Sequence, residues 1–202
     1  MKNAIHNAVL NRLPAYLHFV KSTYPEGKQT VSSATIARAL GLGEVQVRKD
    51  LASVSGAGKP KVGYDRQELI RHLEDALLVH NRVNAVIVGA GKLGRALLAH
   101  AGFADYGIDV CAAFDVNKSD GVLPMSTFDE FCPANNVKIG IVTVSENQAQ
   151  AVCDKMVACG IKAIWNFASD TLSVPDGIIV KNENLASSVA VLAVTLKSVK
   201  GD

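Results

Sequence analysis

The sequence lacks a long hydrophobic run, which argues against a membrane-spanning segment. Its longest apolar stretch, Val189 to Leu196, is far shorter than the roughly 20 residues that a bilayer span needs. Residues 1–14 also lack the apolar block of a secretory signal peptide. With 49% hydrophobic and 20% charged residues among 202, the composition predicts a folded chain, which we expect in the cytoplasm.

Cysteine is scarce, and its spacing does not indicate a metal site. The four cysteines include no CxxC pair and no arrangement with histidine suited to zinc; they are Cys111, Cys132, Cys153 and Cys159. We therefore expect no bound metal, and we expect buried free thiols, as is usual in a reducing compartment.

The net charge is also small, +2 at pH 7, but it is distributed unevenly. Residues 1–84 carry 12 Lys and Arg against 7 Asp and Glu, whereas residues 85–202 carry 9 against 12. A basic front half suits a polyanion such as nucleic acid, although the same charge could serve solubility alone.

The front half shows the pattern of short amphipathic helices. The leucine spacing predicts one helix over Leu13 to Thr23. A second helix would begin at the capping residues Ser32-Ser33 and end at Gly41, and a third would open at Glu44. The residues of the third helix that face inward would be Val45, Val47 and Leu51. Two helices joined by a turn with glycine predict a helix-turn-helix.

A glycine-rich, basic segment, Gly56–Tyr64, follows the third helix and is too short for another core helix. We interpret it as a hairpin or wing. A further amphipathic helix, capped by Asp65, would complete a mainly helical winged helix-turn-helix domain over 1–82.

The back half changes to short β-branched runs that alternate with helical segments. The predicted strands are Ala85–Val88, Val110–Phe114, Ile139–Val144, Ile161–Phe167 and Ile178–Val180. One of the helices between them would cover Asn147 to Ala158. This alternation predicts an α/β domain with a parallel, Rossmann-like sheet over 83–182.

A glycine-rich turn follows the first predicted strand and opens a helix. Gly89, Gly91 and Gly94 form the GxGxxG pattern, and Asp115 ends the next strand. Such glycines let the backbone approach a pyrophosphate, and an acid at this position accepts hydrogen bonds from the adenosine ribose. The pattern predicts a site for NAD(H) rather than NADP(H). Lys118 could weaken that preference, and Asp115 could instead cap the loop.

The same half has little that could catalyse a reaction. His100 is its one histidine, and the chain has no separate substrate domain. A dehydrogenase needs an acid or base at the substrate carbonyl, so we predict cofactor binding without a reaction. A small NAD-dependent oxidoreductase that uses His100 as its acid is the alternative.

These segments resemble the Rex family of redox-sensing transcriptional repressors over nearly the whole chain. The motifs that carry the resemblance are Asn11-Arg12-Leu13-Pro14, Val31-Ser32-Ser33, Val47-Arg48-Lys49-Asp50-Leu51, Gly58-Lys59, Val62-Gly63-Tyr64-Asp65, Gly89 to Gly94, Ala113-Phe114-Asp115-Val116 and Leu172-Ser173-Val174-Pro175. The resemblance implies a homodimer that binds a palindromic operator when NAD⁺ predominates and releases it when NADH binds.

The resemblance also implies that the terminal helix, within 183–202, is exchanged between subunits. Its apolar residues lie on several sides, which agrees with burial in a dimer. An ordinary helix packed on its own sheet is the alternative.

The resemblance further assigns site residues. Arg48 and Lys49 would enter the major groove, where arginine to guanine is the commonest specific contact. The implied DNA contacts are Ser32, Ser33, Gln46, Arg48, Lys49, Lys59 and Lys61. The implied cofactor contacts are Gly89, Ala90, Gly91, Lys92, Leu93, Gly94, His100, Asp115, Val116, Thr143 and Asn166.

The chain departs from the family at several positions. His100 stands where the family usually has a tyrosine near the nicotinamide. Asn184 replaces an aspartate that commonly pairs with the arginine matching Arg12, and we assign Arg12 and Asn184 to an interdomain or dimer contact. His100 could take the tyrosine's role with a pH dependence, or the chain is a Rex-like paralogue with altered sensing or lost DNA binding. The recognition-helix end, Ala52–Ser55, lacks its usual aromatic residue, and the third strand, within 120–128, is expected to be brief.

Overall fold

The computed structural model describes residues 5–117 and 119–200, except for the side chains of 197–200. The chain divides into two compact units, Met1–Asn81 and Arg82–Asp202. Across the described part of the chain, no helix is long and apolar enough to cross a membrane.

The first unit is mainly helical. In chain order its elements are α1 (Asn7–Leu10), α2 (Leu13–His18), β1 (Thr30–Val31), α3 (Ser33–Leu40), α4 (Glu44–Ser55), β2 (Tyr64–Asp65) and α5 (Arg66–Ala76). α2 continues into a π-helical turn, Phe19–Thr23, so the two together cover the span predicted for one helix. The buried core residues include Leu13, Tyr16, Leu17, Val20, Ile36, Val47, Leu51, Leu69 and Leu73.

Local caps fix the ends of these helices. The Ser32 hydroxyl accepts a hydrogen bond from the Thr35 N–H at 3.1 Å, which caps α3. α3 ends at Gly41, whose φ of 64° lies in the left-handed region that glycine adopts easily. Asp65 caps α5 in the same way by accepting from the Glu68 N–H at 2.9 Å. α3 and α4, which are joined by the short turn that begins at Gly41, form the predicted helix-turn-helix.

The inward face of α4 differs from the prediction. Val47 and Leu51 are buried as expected, but the prediction for Val45 is wrong because this side chain is 54% exposed. Asp50 lies on the buried face instead and is only 4% exposed. A carboxylate is buried only at high cost unless it is paired, so this position requires partners from elsewhere in the fold.

A short antiparallel pair, β1 with β2, forms the base of the wing over Gly56–Tyr64. Val31 pairs with Tyr64, and Lys59 forms one further antiparallel bridge with Gly63. Gly63 has a φ of 92°, and a Cβ on it would collide with the Val31 carbonyl oxygen. Glycine is therefore needed where the wing returns to the helical core.

The second unit is built on a six-stranded sheet. Its strands are β3 (Val83–Val88), β4 (Ile108–Asp115), β5 (Val122–Pro124), β6 (Ile139–Val142), β7 (Ala163–Asn166) and β8 (Ile179–Asn182). The order is β5-β4-β3-β6-β7-β8, and each neighbouring pair is parallel. This is the strand order of a dinucleotide-binding Rossmann sheet, in which ligands bind where the order reverses, here between β3 and β6. β5 is brief, as expected.

Two apolar layers cover the sheet. The helices of this unit are α6 (Lys92–Leu98), α7 (Phe128–Ala134), α8 (Glu146–Ala158) and α9 (Leu185–Lys200), with 3₁₀ turns at Ala101–Tyr106 and Met125–Thr127. The larger core cluster joins Val86 and Phe114 to Phe128 of α7 and Met156 of α8. Ile87 belongs to a smaller cluster packed by α6, since successive strand residues point to opposite faces.

α9 is apolar but uncovered in the single chain. Every residue from 185 to 196 is exposed. Its large apolar side chains keep between 57% and 68% of their surface in solvent and are Leu185, Val189, Val191, Leu192, Val194 and Leu196. The alternative of a helix packed on its own sheet is therefore wrong. A helix with apolar residues on several sides is stable in water only when another surface covers it.

Candidate functional sites

Close backbone approaches shape the glycine-rich turn after β3. Gly89 has a φ of 105°, and a Cβ on it would lie 2.7 Å from the Thr143 backbone. A Cβ on Gly94 would collide with the Gly89 carbonyl oxygen, so α6 packs against the turn only with glycine at this position. Gly91 differs, because a Cβ there would meet nothing within 4 Å. The backbone is thus open at Gly91, as close approach of a pyrophosphate requires.

A groove of about 730 Å³ lies beside this turn. Five of the predicted cofactor contacts line it, namely Gly89, Gly91, Asp115, Val116 and Thr143. The other lining residues are Val88, Asn117, Met125, Ser126, Val144, Ser145, Asn147, Gln148, Ala151, Val152 and Lys155. The volume falls within the range of about 300–1,000 Å³ typical of small-molecule and cofactor sites. We call this feature the dinucleotide groove.

Asp115 holds the turn from the end of β4. Its Oδ1 accepts a hydrogen bond from the Asn117 N–H at 2.8 Å, and its Oδ2 accepts from the Ala90 N–H at 2.7 Å. The hydrogen bond from Asn117, together with that from Ala90, keeps the pKa of Asp115 below its usual range despite partial burial. A carboxylate has further lone pairs, so the same group can anchor the loop and accept from a ribose hydroxyl. Lys118 lies outside the described residues.

Thr143 and Asn166 lie near the ends of neighbouring strands but have different surroundings. The Thr143 hydroxyl donates to the Gly89 carbonyl oxygen at 2.7 Å and so supports the turn. Asn166 is fully buried, and its Nδ2 donates to the Asp170 carbonyl and to Asn182 Oδ1, both at 2.9 Å. Asn166 does not line the dinucleotide groove, and its amide ties the loop after β7 to β8. A direct contact between Asn166 and the cofactor stays a prediction.

Five further predicted contacts also lie outside the groove lining, namely Ala90, Lys92, Leu93, Gly94 and His100. Lys92 is the first residue of α6 and is exposed. The His100 ring packs edge-on against Phe103, with ring centroids 5.1 Å apart, and Phe103 packs edge-on against Trp165 at 6.1 Å. His100 therefore belongs to an aromatic cluster beyond the end of α6, and its role at the nicotinamide stays a prediction.

The sequence did not indicate the groove residues at the start of α8. Ser145, Asn147 and Gln148 line the groove, and Lys155 lies two turns farther along the helix, where its ammonium donates to Asp129 Oδ2 at 2.7 Å. One signal was available, because these residues follow the β6 strand at the edge of the sheet where ligands bind. They carry no motif of their own.

The first unit has a basic depression of about 320 Å³ bounded by the start of α3, by α4 and by the wing. Five of the predicted DNA contacts line it, namely Ser32, Ser33, Arg48, Lys59 and Lys61. Glu44 is the one carboxylate among the lining residues of the depression. The three cations are exposed, so they are available to an external polyanion. Gln46 and Lys49 are exposed on α4 outside the depression.

Arg12 supplies the pairing that the buried Asp50 requires. Its Nε and Nη2 donate to the Asp50 carboxylate at 2.7 and 2.9 Å, and the Tyr16 hydroxyl donates to the same carboxylate at 2.7 Å. Burial alone would raise the pKa of Asp50, but the hydrogen bonds from Arg12 and Tyr16 outweigh it and lower the pKa. The Gln46 amide is assigned with its oxygen towards Arg12, because in that orientation the oxygen accepts from Arg12 Nε and Nη1, both at 3.2 Å. We call these four residues the Arg12 network.

Asn184 caps the terminal helix. Its Oδ1 accepts from the Ser187 N–H at 2.9 Å, immediately before α9. Arg12 and Asn184 each have partners within their own unit, and a contact between them in an assembly stays a prediction.

All four cysteines are free thiols. Cys132 and Cys153 are buried as expected and Cys159 is half-buried, but the prediction of buried thiols is wrong for Cys111, which is exposed. Burial raises the pKa of the Cys132, Cys153 and Cys159 thiols, to about 12 for Cys132. Partial desolvation, together with the nearby Asp109 carboxylate, raises the pKa of Cys111. Among the described residues, no group of three or more His, Cys, Asp and Glu side chains could hold a metal ion.

Two protein-family descriptions match the chain. "Putative DNA-binding protein N-terminus" matches residues 4–52, which contain Arg12, α3 and most of α4. "CoA binding domain" matches residues 80–169, which contain the glycine-rich turn and the sheet through β7.

Curated relatives and solved structures extend the match to nearly the full length. The redox-sensing transcriptional repressor Rex of Porphyromonas gingivalis is 40% identical, over 94% of this chain and 90% of the relative, and that of Treponema denticola is 39% identical over 95% of each.

A crystal structure of RSP in complex with β-NAD⁺ and operator DNA has a TM-score of 0.85 and 32% identity, and the match covers 100% of this chain and 99% of that one. RSP in complex with β-NADH has a TM-score of 0.83 and 30% identity, and the match covers 98% and 97% of the two chains. The predicted fold and the prediction of a repressor rather than an enzyme are confirmed by these relatives, and the chain belongs to the Rex family of redox-sensing transcriptional repressors.

Proposed function

We propose that this protein is a homodimeric repressor that binds a palindromic operator and is released from it by NADH. The observation that carries the proposal is the dinucleotide groove, in which Gly91 leaves room for a pyrophosphate beside the ionised Asp115. The basic depression gives the same chain a surface for DNA. The solved RSP complexes, one with β-NAD⁺ and operator DNA and one with β-NADH, support this pairing of ligands.

The residues of the groove suit NAD(H) in chemistry as well as in volume. The backbone of the turn from Gly89 to Gly94 would hold the pyrophosphate, and Asp115 would accept from the adenosine ribose while repelling a 2′-phosphate. Val116, which is 74% exposed, offers apolar surface to an adenine ring. The bound nicotinamide undergoes no reaction here, and the oxidised ring differs from the reduced one in its positive charge.

Control of DNA binding follows from differential affinity. A ligand shifts an equilibrium between two conformations only as far as it binds one of them more tightly. NADH would therefore favour a dimer geometry that does not fit the operator. In a two-fold dimer, such a change would alter the spacing between the two helix-turn-helix elements. This spacing must match the operator, because its half-sites lie one helical turn, or a multiple of it, apart.

The organisation of the dimer completes the proposal. A DNA-binding domain over 1–82 and a Rossmann domain over 83–182 would be followed by a terminal helix, within 183–202, that packs against the partner subunit. The uncovered apolar surface of α9 supports this arrangement. Binding to chromosomal operators would place the protein in the cytoplasm.

A DNA-binding titration with both cofactor forms tests the proposal. A fluorescent palindromic duplex, selected from a random library with the full-length protein, is titrated alone, with NAD⁺ and with NADH, at two salt concentrations. We expect salt-sensitive binding that NAD⁺ preserves and NADH abolishes. Binding that neither nucleotide changes would support the altered paralogue instead, and failure to bind any duplex would contradict the repressor.

A further inference from the structure

We propose that Gln46 reads a guanine in each operator half-site and that Arg12 sets this preference by holding the Gln46 amide oxygen. The inference rests on the proposed DNA-binding function and adds the identity of one base to it. It concerns a side chain outside the basic depression, on the exposed surface of the second helix of the helix-turn-helix.

The orientation of the Gln46 amide follows from its surroundings. The guanidinium of Arg12 carries only donors, so an NH₂ group turned towards it would find no acceptor. We therefore assign the amide oxygen to that side, where it accepts from Arg12 Nε and Nη1, both at 3.2 Å. Because the amide is planar, its Nε2 then lies on the side away from Arg12, and the exposed position of Gln46 makes this NH₂ group accessible to an external partner.

Arg12 is itself held firmly enough to act as a reference point. Two of its nitrogens donate to the Asp50 carboxylate at 2.7 and 2.9 Å. Tyr16 donates to Asp50 as well, so the carboxylate is fixed from two sides in the core. Gln46 and Asp50 are four residues apart on α4 and lie on the same side of this helix, where one guanidinium reaches both.

This orientation changes what the glutamine can recognise. A glutamine with both amide groups free pairs with adenine in the major groove, donating to N7 and accepting from N6. With its oxygen engaged by Arg12, Gln46 offers donors only. Guanine presents two neighbouring acceptors, O6 and N7, whereas adenine presents one acceptor beside a donor, cytosine presents a donor, and thymine presents one acceptor beside a methyl group. The donors of Gln46 therefore favour guanine.

Operator selection with Gln46 variants tests the proposal. The full-length protein and the Gln46→Ala, Gln46→Glu and Gln46→Lys variants are each used to select duplexes from a library with randomised half-sites. We expect Gln46→Ala to lose a guanine preference at one position, with an affinity loss of about tenfold for duplexes carrying that guanine. Gln46→Lys keeps a donor and should retain the preference, whereas Gln46→Glu has no donor and should lose it.

A double variant separates the role of Arg12 from that of Gln46. Arg12→Met with Asp50→Leu replaces a buried ion pair by apolar side chains, a change that is often tolerated. It frees the amide to turn, so adenine should become as acceptable as guanine at the Gln46-dependent position. Circular dichroism shows whether the double variant is folded. The Gln46 single variants test the base preference independently of that result.

The outcomes distinguish this inference from the function on which it rests. Selection of adenine at the Gln46-dependent position by the wild-type protein would overturn the inference while leaving the repressor intact. The inference would also be overturned if Gln46→Ala selected the same bases as the wild-type protein at every position. Failure of the wild-type protein to select any duplex would instead count against the proposed function.

Discussion

The Tyr16 hydroxyl donates a 2.7 Å hydrogen bond to the Asp50 carboxylate in the core of the first unit. Burial, with the hydrogen bond to Asp50, raises the pKa of Tyr16 to about 12. The same contact, with the hydrogen bonds from Arg12, lowers the pKa of Asp50. The recognition helix α4 is thereby fixed to α2 through a polar contact inside an otherwise apolar core.

The stability of the first unit should depend on pH through Asp50. Since its folded-state pKa is depressed, its contribution is present above the unfolded pKa of about 3.9 and is lost as pH falls through the folded value. We expect Asp50→Asn to lower the unfolding free energy by about 3 kcal/mol at pH 7, because it leaves Arg12 without its carboxylate. Urea unfolding of both proteins should show this difference shrinking as the pH is lowered. A difference that stays constant down to pH 3 would contradict the assignment.

Two alanine substitutions in the glycine-rich turn should have contrasting effects. Gly91→Ala meets open space, so stability should change by less than about 0.5 kcal/mol while NADH affinity falls, because the new methyl group occupies the side that the pyrophosphate approaches. Gly94→Ala collides with the Gly89 carbonyl and should lose about 1–3 kcal/mol of stability together with NADH binding. Thermal unfolding measures the stability of each variant, and a fluorescence titration with NADH measures its NADH affinity. Unchanged NADH affinity in Gly91→Ala would show that the pyrophosphate does not bind next to Gly91.

Arg48 and Lys59 should make different kinds of DNA contact. Arg48→Ala should weaken binding to the selected operator by about 1–3 kcal/mol and relax specificity, as expected for loss of a base contact. Lys59→Ala should weaken binding to all duplexes alike and reduce the salt slope by about one unit, as expected for loss of a phosphate contact. Anisotropy titrations on operator and scrambled duplexes at several salt concentrations separate the two. If Arg48→Ala kept full operator affinity, α4 would not be the helix that lies in the major groove.

Lys61 should improve DNA binding at the expense of stability. Its φ of 63° is in the left-handed region, which costs a residue with a Cβ roughly 1–2 kcal/mol relative to glycine. We expect Lys61→Gly to raise the unfolding free energy by about 1 kcal/mol and to lower operator affinity, because the side chain that is lost is cationic. Lys61→Ala removes the same charge without relieving the backbone and serves as the control. Equal stability of the two variants would show that the backbone here is not strained.

Assembly should depend on α9. Leu192→Glu places a charge on a large apolar side chain that is 67% exposed in the single chain, and we expect it to shift the protein from dimer to monomer. Leu78→Glu makes the same change at an exposed leucine of the first unit and should leave the dimer intact. Sedimentation velocity measures both. A Leu192→Glu protein that remains dimeric would place the subunit contact away from α9.

The sequence predicted features that depend on local signals. The caps at Ser32 and Asp65 and the end of α3 at Gly41 follow from the chemistry of single residues and their near neighbours. A β-branched run that is followed by glycines is compatible with few structures other than a strand and a tight turn. This is why the sequence predicted the strands, the glycine-rich turn and Asp115. In each case the information lies within a short stretch of chain.

Features that depend on distant parts of the chain could not be predicted. Asp50 is buried because Arg12, 38 residues earlier, pairs with it, and nothing in the α4 sequence signals that contact. Gln148 enters the groove because β6 lies next to β3 in the sheet, an order that only the fold supplies. Asn166 was predicted to contact the cofactor, yet the loop after β7 and Asn182 satisfy its amide.

The raised pKa of all four thiols bears on how the protein tells one chemical stress from another. Peroxides attack the thiolate form of cysteine, and these side chains are protonated at neutral pH. Direct oxidation of these thiols by peroxide is therefore expected to be slow. If the proposed function holds, a change in promoter occupancy during such exposure would follow the nucleotide pool rather than oxidation of these thiols.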